Sequence, residues 1–321
     1  MDIVLRLLTF FKISREFGYL LNNYELRSKI SNLRIQINIM SFISIRGVEH
    51  YYEWITADNS AGHSGKPVMV FLHGWAGSAR YWESTARAIA DDFDCLLYDM
   101  RGFGRSPLPK EPPESSYELE TYARDLAELL ESLNLSRVFL NAHSTGASIA
   151  TLFLNLYPEK VEKAILTCSG IFEYDEKSFT TFHKFGGYVV KFRPSWLASI
   201  PFADRLFMAR FLRRSLPTEV SLAFLKDFLM ADEQAAIGTM VTAVSKRAAE
   251  EMPQEFARLS VPTLLVAGEF DQIIPAVMGE QAASLSKKVE FVIIPNTAHF
   301  PMLEDAATYL QRIREFLPAA A

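Results

Sequence analysis

One serine stands in a sequence context that suits a nucleophile. Ser144 lies in Ala142-His143-Ser144-Thr145-Gly146, between a predicted strand at 138–141 and a helical pattern at 147–157. A serine on a tight strand-to-helix turn is held above the sheet with its hydroxyl exposed, and small neighbours let strand and helix approach closely. The backbone N–H of Thr145, at the helix start, is then free to bind a negatively charged oxygen. Taken alone, the same letters also suit an ordinary turn and helix cap.

Two further residues are placed to activate Ser144. A serine hydroxyl is a poor nucleophile until a base removes its proton, and a histidine base needs a carboxylate that fixes its tautomer. His299 and Asp271 each follow an apolar run that predicts a parallel strand. We therefore expect both to lie at the sheet edge where ligands bind, with His299 as the base and Asp271 as the acid. Glu269 is the competing acid, but it is two residues closer to its strand and should face another direction.

The sequence also predicts the sheet that would position these residues. From Met40 onward, short apolar runs alternate with helical patterns, which indicates a mostly parallel sheet with helices on both faces. Apolar residues at helical spacing mark 119–133 and 303–316 as helices. The predicted strands are 68–72, 93–98, 138–141, 164–167, 263–267 and 289–294. The predicted fold class is α/β.

In this order the pieces resemble the α/β-hydrolase superfamily. Its nucleophile motif is Gly-x-Ser-x-Gly, and its triad runs along the chain as serine, acid and histidine, as Ser144, Asp271 and His299 do. Ala142 departs from the motif, and its methyl group should be tolerated if the backbone φ is negative. The resemblance covers about 40–317 and implies the α/β-hydrolase fold.

Two early turns extend the resemblance. These are His73-Gly74-Trp75 and the segment 99–106, Asp-Met-Arg-Gly-Phe-Gly-Arg-Ser, and they are nearest to the esterase and cofactor-free haloperoxidase-like branch. By position, the resemblance implies that the backbone N–H groups of Trp75 and Thr145 form the oxyanion hole. Trp75 is expected to contact substrate. The side chain of His143 should point sideways from the turn, so His143 is expected either to contact substrate in the pocket or to pack beside it. We expect no metal ion and no organic cofactor.

A long insertion separates 40–171 from 260–321, the two parts of the predicted hydrolase core. It spans 172–259 and is predicted to form several helices, which the resemblance places as a cap after the sixth strand. Its prolines Pro194, Pro201 and Pro217 interrupt the helical patterns. Ten of the 24 Phe residues lie between 172 and 228. They either form a self-contained helical core or the wall of a lipophilic substrate pocket.

The resemblance implies a serine hydrolase that cleaves a carboxylic ester through an acyl-enzyme intermediate. The apolar cap favours a small-molecule ester with a lipophilic acyl group. A cofactor-free haloperoxidase-like enzyme or a carbon–carbon bond hydrolase would use the same triad, so the products must distinguish them. A ligand receptor of this fold would keep the triad, bind tightly and turn over little.

The first 39 residues differ in charge from the rest. They carry six basic and three acidic residues, whereas the whole chain has a net charge of -5. One interpretation is an N-terminal arm on a membrane surface. The other, which we favour, is that Met40 is the native start and 1–39 is an upstream artefact.

Composition excludes several other classes. A net charge of -5 gives no basic excess for a nucleic-acid partner. The two cysteines have no metal-ligand spacing and suit a reducing compartment. We therefore expect a cytoplasmic protein. Peripheral membrane contact through 1–39 or the cap is a second expectation. The uncharged stretch 138–158 has polar and turn-forming residues at its centre, so no integral membrane span is predicted. Oligomeric state is not indicated.

Overall fold

The computed structural model describes residues 41–60, 62–111 and 116–317. The N-terminal extension predicted over 1–39 lies outside these residues, so its two interpretations stay predictions. None of the described helices is both long enough and apolar enough to cross a membrane.

Eight strands form one sheet in the order β1-β2-β4-β3-β5-β6-β7-β8. They are β1 (Ser41–Ile45), β2 (Val48–Ile55), β3 (Val68–Leu72), β4 (Asp94–Tyr98), β5 (Val138–His143), β6 (Val161–Thr167), β7 (Thr263–Gly268) and β8 (Val289–Ile294). The first two strands pair antiparallel with their neighbours, and all pairs from β4 to β8 are parallel. Each of the six predicted strands is present. The mostly parallel sheet is thus confirmed, with β1 and β2 added at one edge.

Eleven α-helices occur among the described residues. They are α1 (Glu83–Ile89), α2 (Leu119–Ser132), α3 (Thr145–Leu156), α4 (Glu176–Lys191), α5 (Ala203–Met208), α6 (Thr218–Met230), α7 (Glu233–Ala243), α8 (Lys246–Ala257), α9 (Ala276–Ser284), α10 (Pro301–Glu304) and α11 (Ala306–Phe316). Helices α4 to α8 lie between β6 and β7, which confirms the helical insertion after the sixth strand; we call 172–259 the cap. The boundaries predicted for it as a separate domain stay predictions.

The C-terminal helical pattern is divided in two. Asp305 separates α10 from α11, and its side chain accepts a hydrogen bond of 3.2 Å from the backbone N–H of Thr308. An Asp at this position satisfies an amide that the first helical turn leaves without a partner, so a new helix begins there. The apolar spacing alone did not predict this break.

The sheet has a hydrophobic core on each face. In β3, Val70 and Leu72 belong to one cluster and Met69 and Phe71 to the other, because successive side chains of a strand point to opposite faces. All five residues of β3 are buried. Burial on both faces explains why the central strands have continuous apolar sequences rather than alternating ones. It also gives the loops at the strand ends a rigid base.

Candidate active site

Ser144 lies on a sharp turn between β5 and α3. Its φ and ψ are 54° and -123°, a combination that is strained for a residue with a side chain. The neighbours fix this geometry: the N–H of Ser144 donates to the carbonyl of Thr167 (2.9 Å), and a Cβ on Gly146 would overlap the carbonyl oxygen of His73. Ala142 does not adopt a positive φ and is fully buried in β5, so its methyl group fits.

Three predicted residues come together at the carboxyl ends of the strands. The Oγ of Ser144 lies 3.0 Å from Nε2 of His299, and Nδ1 of His299 lies 2.7 Å from Oδ2 of Asp271. His299 is 4% exposed and Asp271 is 5% exposed. Because an ionised carboxylate only accepts hydrogen bonds, Nδ1 carries the proton and Nε2 is left to accept from the serine. This is the arrangement that general-base activation of Ser144 requires.

The acid is held by its own loop. Oδ1 of Asp271 accepts hydrogen bonds from the N–H groups of Ile273 (2.8 Å) and Ile274 (3.1 Å), which leaves Oδ2 for His299. The competing acid Glu269 points elsewhere, since its Oε2 accepts from the N–H of Asn296 (2.7 Å). The structure therefore brings Asp271, and not Glu269, to His299.

The two expected oxyanion donors flank Ser144. Among the described residues, the backbone N–H groups of Trp75 and Thr145 have no hydrogen-bond partner. Thr145 is the first residue of α3, and the turn of Trp75 lies against the serine, because a Cβ on Gly74 would be 3.2 Å from Cβ of Ser144. Two free N–H groups beside a nucleophile can bind a carbonyl oxygen as it becomes negative.

Comparisons with known proteins identify the family of the chain. The family model for the alpha/beta hydrolase fold matches residues 67–306. The chain belongs to the α/β-hydrolase family. Epoxide hydrolase 3 of Mus musculus is 28% identical to this hydrolase over 258 residues, which cover 75% of this chain and 68% of that protein.

Solved structures show the same fold. An esterase from Exiguobacterium antarcticum is similar with a TM-score of 0.71 and 21% identity, covering 87% of this hydrolase and 99% of that chain. A bromoperoxidase from Bacillus anthracis gives the same four values. The predicted membership of the superfamily is thus confirmed, while the names of its relatives span more than one chemistry.

His143 has a different position from the one expected of a substrate contact. Its side chain is 1% exposed, and its Nε2 lies 2.7 Å from the backbone carbonyl of His299. A carbonyl oxygen only accepts, so Nε2 carries the proton and Nδ1 accepts from the hydroxyl of Tyr81 at 3.0 Å. Burial, and then the nearby His299, hold the pKa of His143 well below its ordinary value, so the ring is neutral.

Tyr81 extends this connection to the turn of Gly74 and Trp75. Its hydroxyl oxygen accepts the N–H of Gly74 at 2.5 Å while its proton goes to His143. Gly74, Tyr81, His143 and His299 therefore form one chain of directed hydrogen bonds, which we call the relay. The relay joins the turn that presents Trp75 to the loop that presents His299. Tyr81 was not predicted, because it lies in a short 3-10 helix, Ala79–Trp82, with no local motif.

His73 and Asp99, from the two early turns, are structural. The N–H of Met100 donates to Nε2 of His73 at 3.0 Å, which leaves the Nδ1–H of His73 for the carbonyl of Gly74 at 2.8 Å. Asp99 accepts from Nε of Arg105 at 2.7 Å. Burial alone would raise the pKa of Asp99, but the hydrogen bonds and charge of Arg105 outweigh it and keep the pKa below its usual value.

The cap contacts the histidine loop through Glu304. One carboxylate oxygen of Glu304 accepts from the N–H of Ala298 (2.8 Å), and the other accepts from the N–H groups of Arg213 (2.6 Å) and Arg214 (2.8 Å). The N–H of His299 donates to the carbonyl of Phe211 (2.9 Å). A buried carboxylate thus fixes a cap segment to the loop that contains His299. No local motif in the sequence predicted these contacts of Glu304.

A row of aromatic rings extends from Trp75 to His299. Successive ring centroids are 6.0 Å apart for Trp75 and Phe228, 5.0 Å for Phe228 and Phe207, 5.9 Å for Phe207 and Phe211, and 6.1 Å for Phe211 and His299. The indole N–H of Trp75 donates to the carbonyl of Ala236 in α7 (2.8 Å). Cap residues therefore provide an apolar boundary between Trp75 and His299, which we call the aromatic wall.

One group of side chains has metal-ligand atoms close together. The ligand atoms of His143, Cys168 and His299 lie within 4.8 Å of one another. All four ring nitrogens of the two histidines are already hydrogen-bonded in the relay and the triad. Burial, and then the charge of Asp271, raise the pKa of the Cys168 thiol, which disfavours the thiolate that metals prefer. We assign these residues no metal-binding role.

Proposed function

We propose that this hydrolase cleaves carboxylic esters with a lipophilic acyl group, with Ser144 as nucleophile, His299 as base and Asp271 as the acid that orients the base. The observation that carries the proposal is the continuous hydrogen-bonded series from Ser144 through His299 to Asp271. Membership of the α/β-hydrolase family does not depend on this hydrogen-bonded series.

The geometry supports a two-step mechanism. Nε2 of His299 takes the proton of Ser144 as Oγ attacks the ester carbonyl, and the N–H groups of Trp75 and Thr145 receive the negative charge that forms on the carbonyl oxygen. His299 then returns the proton to the leaving alcohol, which produces the acyl-enzyme. A water molecule activated by the same imidazole hydrolyses that intermediate and regenerates Ser144.

The aromatic wall supports the choice of acyl group. One end of the wall is Trp75, whose backbone N–H is a proposed oxyanion donor, and the other end lies against His299, whose Nε2 is 3.0 Å from Oγ of Ser144. Apolar rings gain free energy by removing a hydrocarbon chain from water, at about 0.8 kcal/mol per buried CH₂. Each additional methylene that reaches the wall is therefore expected to raise kcat/KM severalfold.

A series of nitrophenyl esters of rising acyl length tests this assignment. Wild-type kcat/KM is expected to increase from the acetyl ester to medium-length acyl esters, and Phe207→Ala is expected to reduce the increase. Phe42→Ala, which changes an exposed Phe on the edge strand β1, is the matched control and is expected to leave the series unchanged. A preference for the acetyl ester would contradict the lipophilic pocket while leaving the triad open to its own test.

A further inference from the structure

Helix α4 of the cap exposes a continuous apolar stripe. The residues are spaced by three or four along the helix and its C-cap, and so lie on one side of it. Phe185 is 70% exposed and Phe192 is 77% exposed. The full set, which we call the α4 stripe, is Phe182, Phe185, Tyr188, Val189 and Phe192. Large aromatic side chains in a continuous exposed row indicate a surface that binds another apolar surface.

The opposite side of α4 is fixed to the cap. Val190 is buried, Nε2 of His183 lies 2.5 Å from the carbonyl of Val244, and a Cβ on Gly186 would overlap the sulfur of Met240 in α7. The helix thus has a packed side and an exposed apolar side. Its orientation is set by these contacts, so the α4 stripe cannot turn inward without breaking them.

A row of lysines follows one edge of the α4 stripe. Lys177, Lys184 and Lys191 are seven residues apart, which places them on one side of the helix, and all three are exposed. Within the described residues none of them forms an ion pair. From 177 to 216 the chain has eight Lys and Arg residues and one acid, Asp204, which is 6% exposed. This segment is strongly basic in a chain whose net charge is -5.

Aromatic side chains beside a basic row match the surface of an anionic bilayer. Aromatic rings favour the boundary between head groups and acyl chains, and lysines beside them attract lipid phosphates. The chain after α4 continues this composition, with Trp196 and Phe202 exposed. A second copy of this chain is a poorer match, because it would bring a second set of Lys177, Lys184 and Lys191 to the same surface.

We propose that the α4 stripe docks the protein on membranes that contain anionic phospholipids. Phe185 and Phe192 enter the boundary between head groups and acyl chains, and Lys177, Lys184 and Lys191 contact the phosphates. The docking does not require hydrolysis, so it is independent of the function proposed for Ser144.

Sedimentation of the full chain with lipid vesicles tests the proposal. We expect binding to vesicles of equimolar phosphatidylcholine and phosphatidylglycerol, weak binding to phosphatidylcholine alone, and weaker binding as salt is raised. Combined Lys177→Glu, Lys184→Glu and Lys191→Glu should weaken binding by about a hundredfold or more. Combined Phe185→Ser and Phe192→Ser should weaken it by about tenfold or more.

Matched variants separate the α4 stripe from other causes. Lys110→Glu, Lys287→Glu and Lys288→Glu together make the same change in net charge at other exposed positions and are expected to bind as the wild type does. Ser144→Ala should also bind normally. Turnover of a water-soluble ester, measured without vesicles, reports that the α4 variants are folded.

Three outcomes would overturn the proposal. The first is a wild-type chain that does not bind anionic vesicles. The second is a set of α4 variants that bind as well as the wild type, which would assign binding to another segment such as 1–39. The third is a wild-type dimer that does not bind vesicles and that only the Phe variants dissociate. The last result would assign the α4 stripe to a second copy.

Discussion

The Nε2–H of His143 donates to the backbone carbonyl of His299 across 2.7 Å. The residue beside the proposed nucleophile therefore holds the proposed base, and through Tyr81 it also holds the turn of Trp75, the proposed oxyanion donor. Catalysis by such a site depends on keeping these groups within fractions of an ångström of one geometry. The relay provides a direct physical means of doing so.

Tyr81→Phe tests the relay. The ring stacks on Phe224 with a centroid separation of 5.2 Å, so Phe keeps the packing while the N–H of Gly74 and Nδ1 of His143 lose their partner. We expect kcat to fall by about tenfold, equivalent to about 1.4 kcal/mol, with little change in KM. Tyr122→Phe removes another buried hydroxyl outside the site and should leave kcat unchanged. An equal effect of the two variants would contradict the role of the relay.

Glu304→Gln tests the connection between the cap and the loop that contains His299. Both carboxylate oxygens of Glu304 accept backbone N–H groups. A side-chain amide at this position would replace one oxygen by an NH₂ group, which cannot accept the backbone N–H groups on that side. The free energy of unfolding should fall by about 1–3 kcal/mol, and kcat should fall with it because Ala298 precedes His299. Denaturant unfolding and ester turnover measure the two effects. Glu315→Gln, on the exposed side of α11, is the control, and a Glu304→Gln protein as stable and active as that control would refute the role of Glu304.

Gly268→Ala tests the close approach of two loops. A Cβ at Gly268 would overlap the carbonyl oxygen of Ala298, so the loop of His299 must move. Ester turnover is expected to fall by at least about a hundredfold, since small displacements of catalytic groups have effects of that size. The same change at Gly187 meets nothing within 4 Å and should leave turnover unaltered. Full activity of Gly268→Ala would show that the His299 loop is not fixed by this contact.

Three buried histidines predict a loss of stability in mild acid. Burial lowers the pKa of His50 to about 4, and burial also lowers the pKa values of His73 and His143. Unfolding returns each to about 6.5, so the unfolded state binds more protons below that pH. The stability that these neutral rings provide is complete above pH ~6.5 and is lost as pH falls from there toward the folded-state values.

Urea unfolding between neutral pH and pH ~5 measures this effect. Each histidine contributes a slope of up to about 1.4 kcal/mol per pH unit in the free energy of unfolding. His50→Gln removes one titrating group and should reduce the slope by up to about 1.4 kcal/mol per pH unit. An exposed histidine variant, His63→Gln, is the control. A free energy of unfolding that stays constant over this range would contradict neutral burial of the three rings.

Much of the fold, and the proximity of Ser144, Asp271 and His299, could be predicted because the signals are local. Strands β3, β5 and β7 are buried on both faces, and strands of this kind have mostly apolar sequences that can be recognised without the structure. Ser144, Asp271 and His299 follow strands of one parallel sheet, so chain order and strand ends were enough to expect them together. The antiparallel strand β1, with exposed alternate residues, had a weaker pattern and was not named.

The supporting groups could not be predicted because their partners are distant in sequence. Tyr81 contacts His143 from 62 residues away, and Glu304 contacts Arg213 from 91 residues away. Neither residue lies in a local sequence motif, so the residues around it did not indicate these contacts. The same reason explains why the sequence left a pocket role and a packing role open for His143. Its position beside Ser144 is visible in the sequence, whereas its burial between Tyr81 and His299 depends on the tertiary structure.

The turnover number of Ser144→Ala with a medium-chain nitrophenyl ester tests the central claim most directly. Ser148→Ala, one helical turn further along α3, is the matched control and should turn over the ester as the wild type does. If Ser144, His299 and Asp271 act as a unit, Ser144→Ala should lose about a millionfold in kcat. Near-normal turnover by Ser144→Ala would contradict the assignment of Ser144 as the nucleophile.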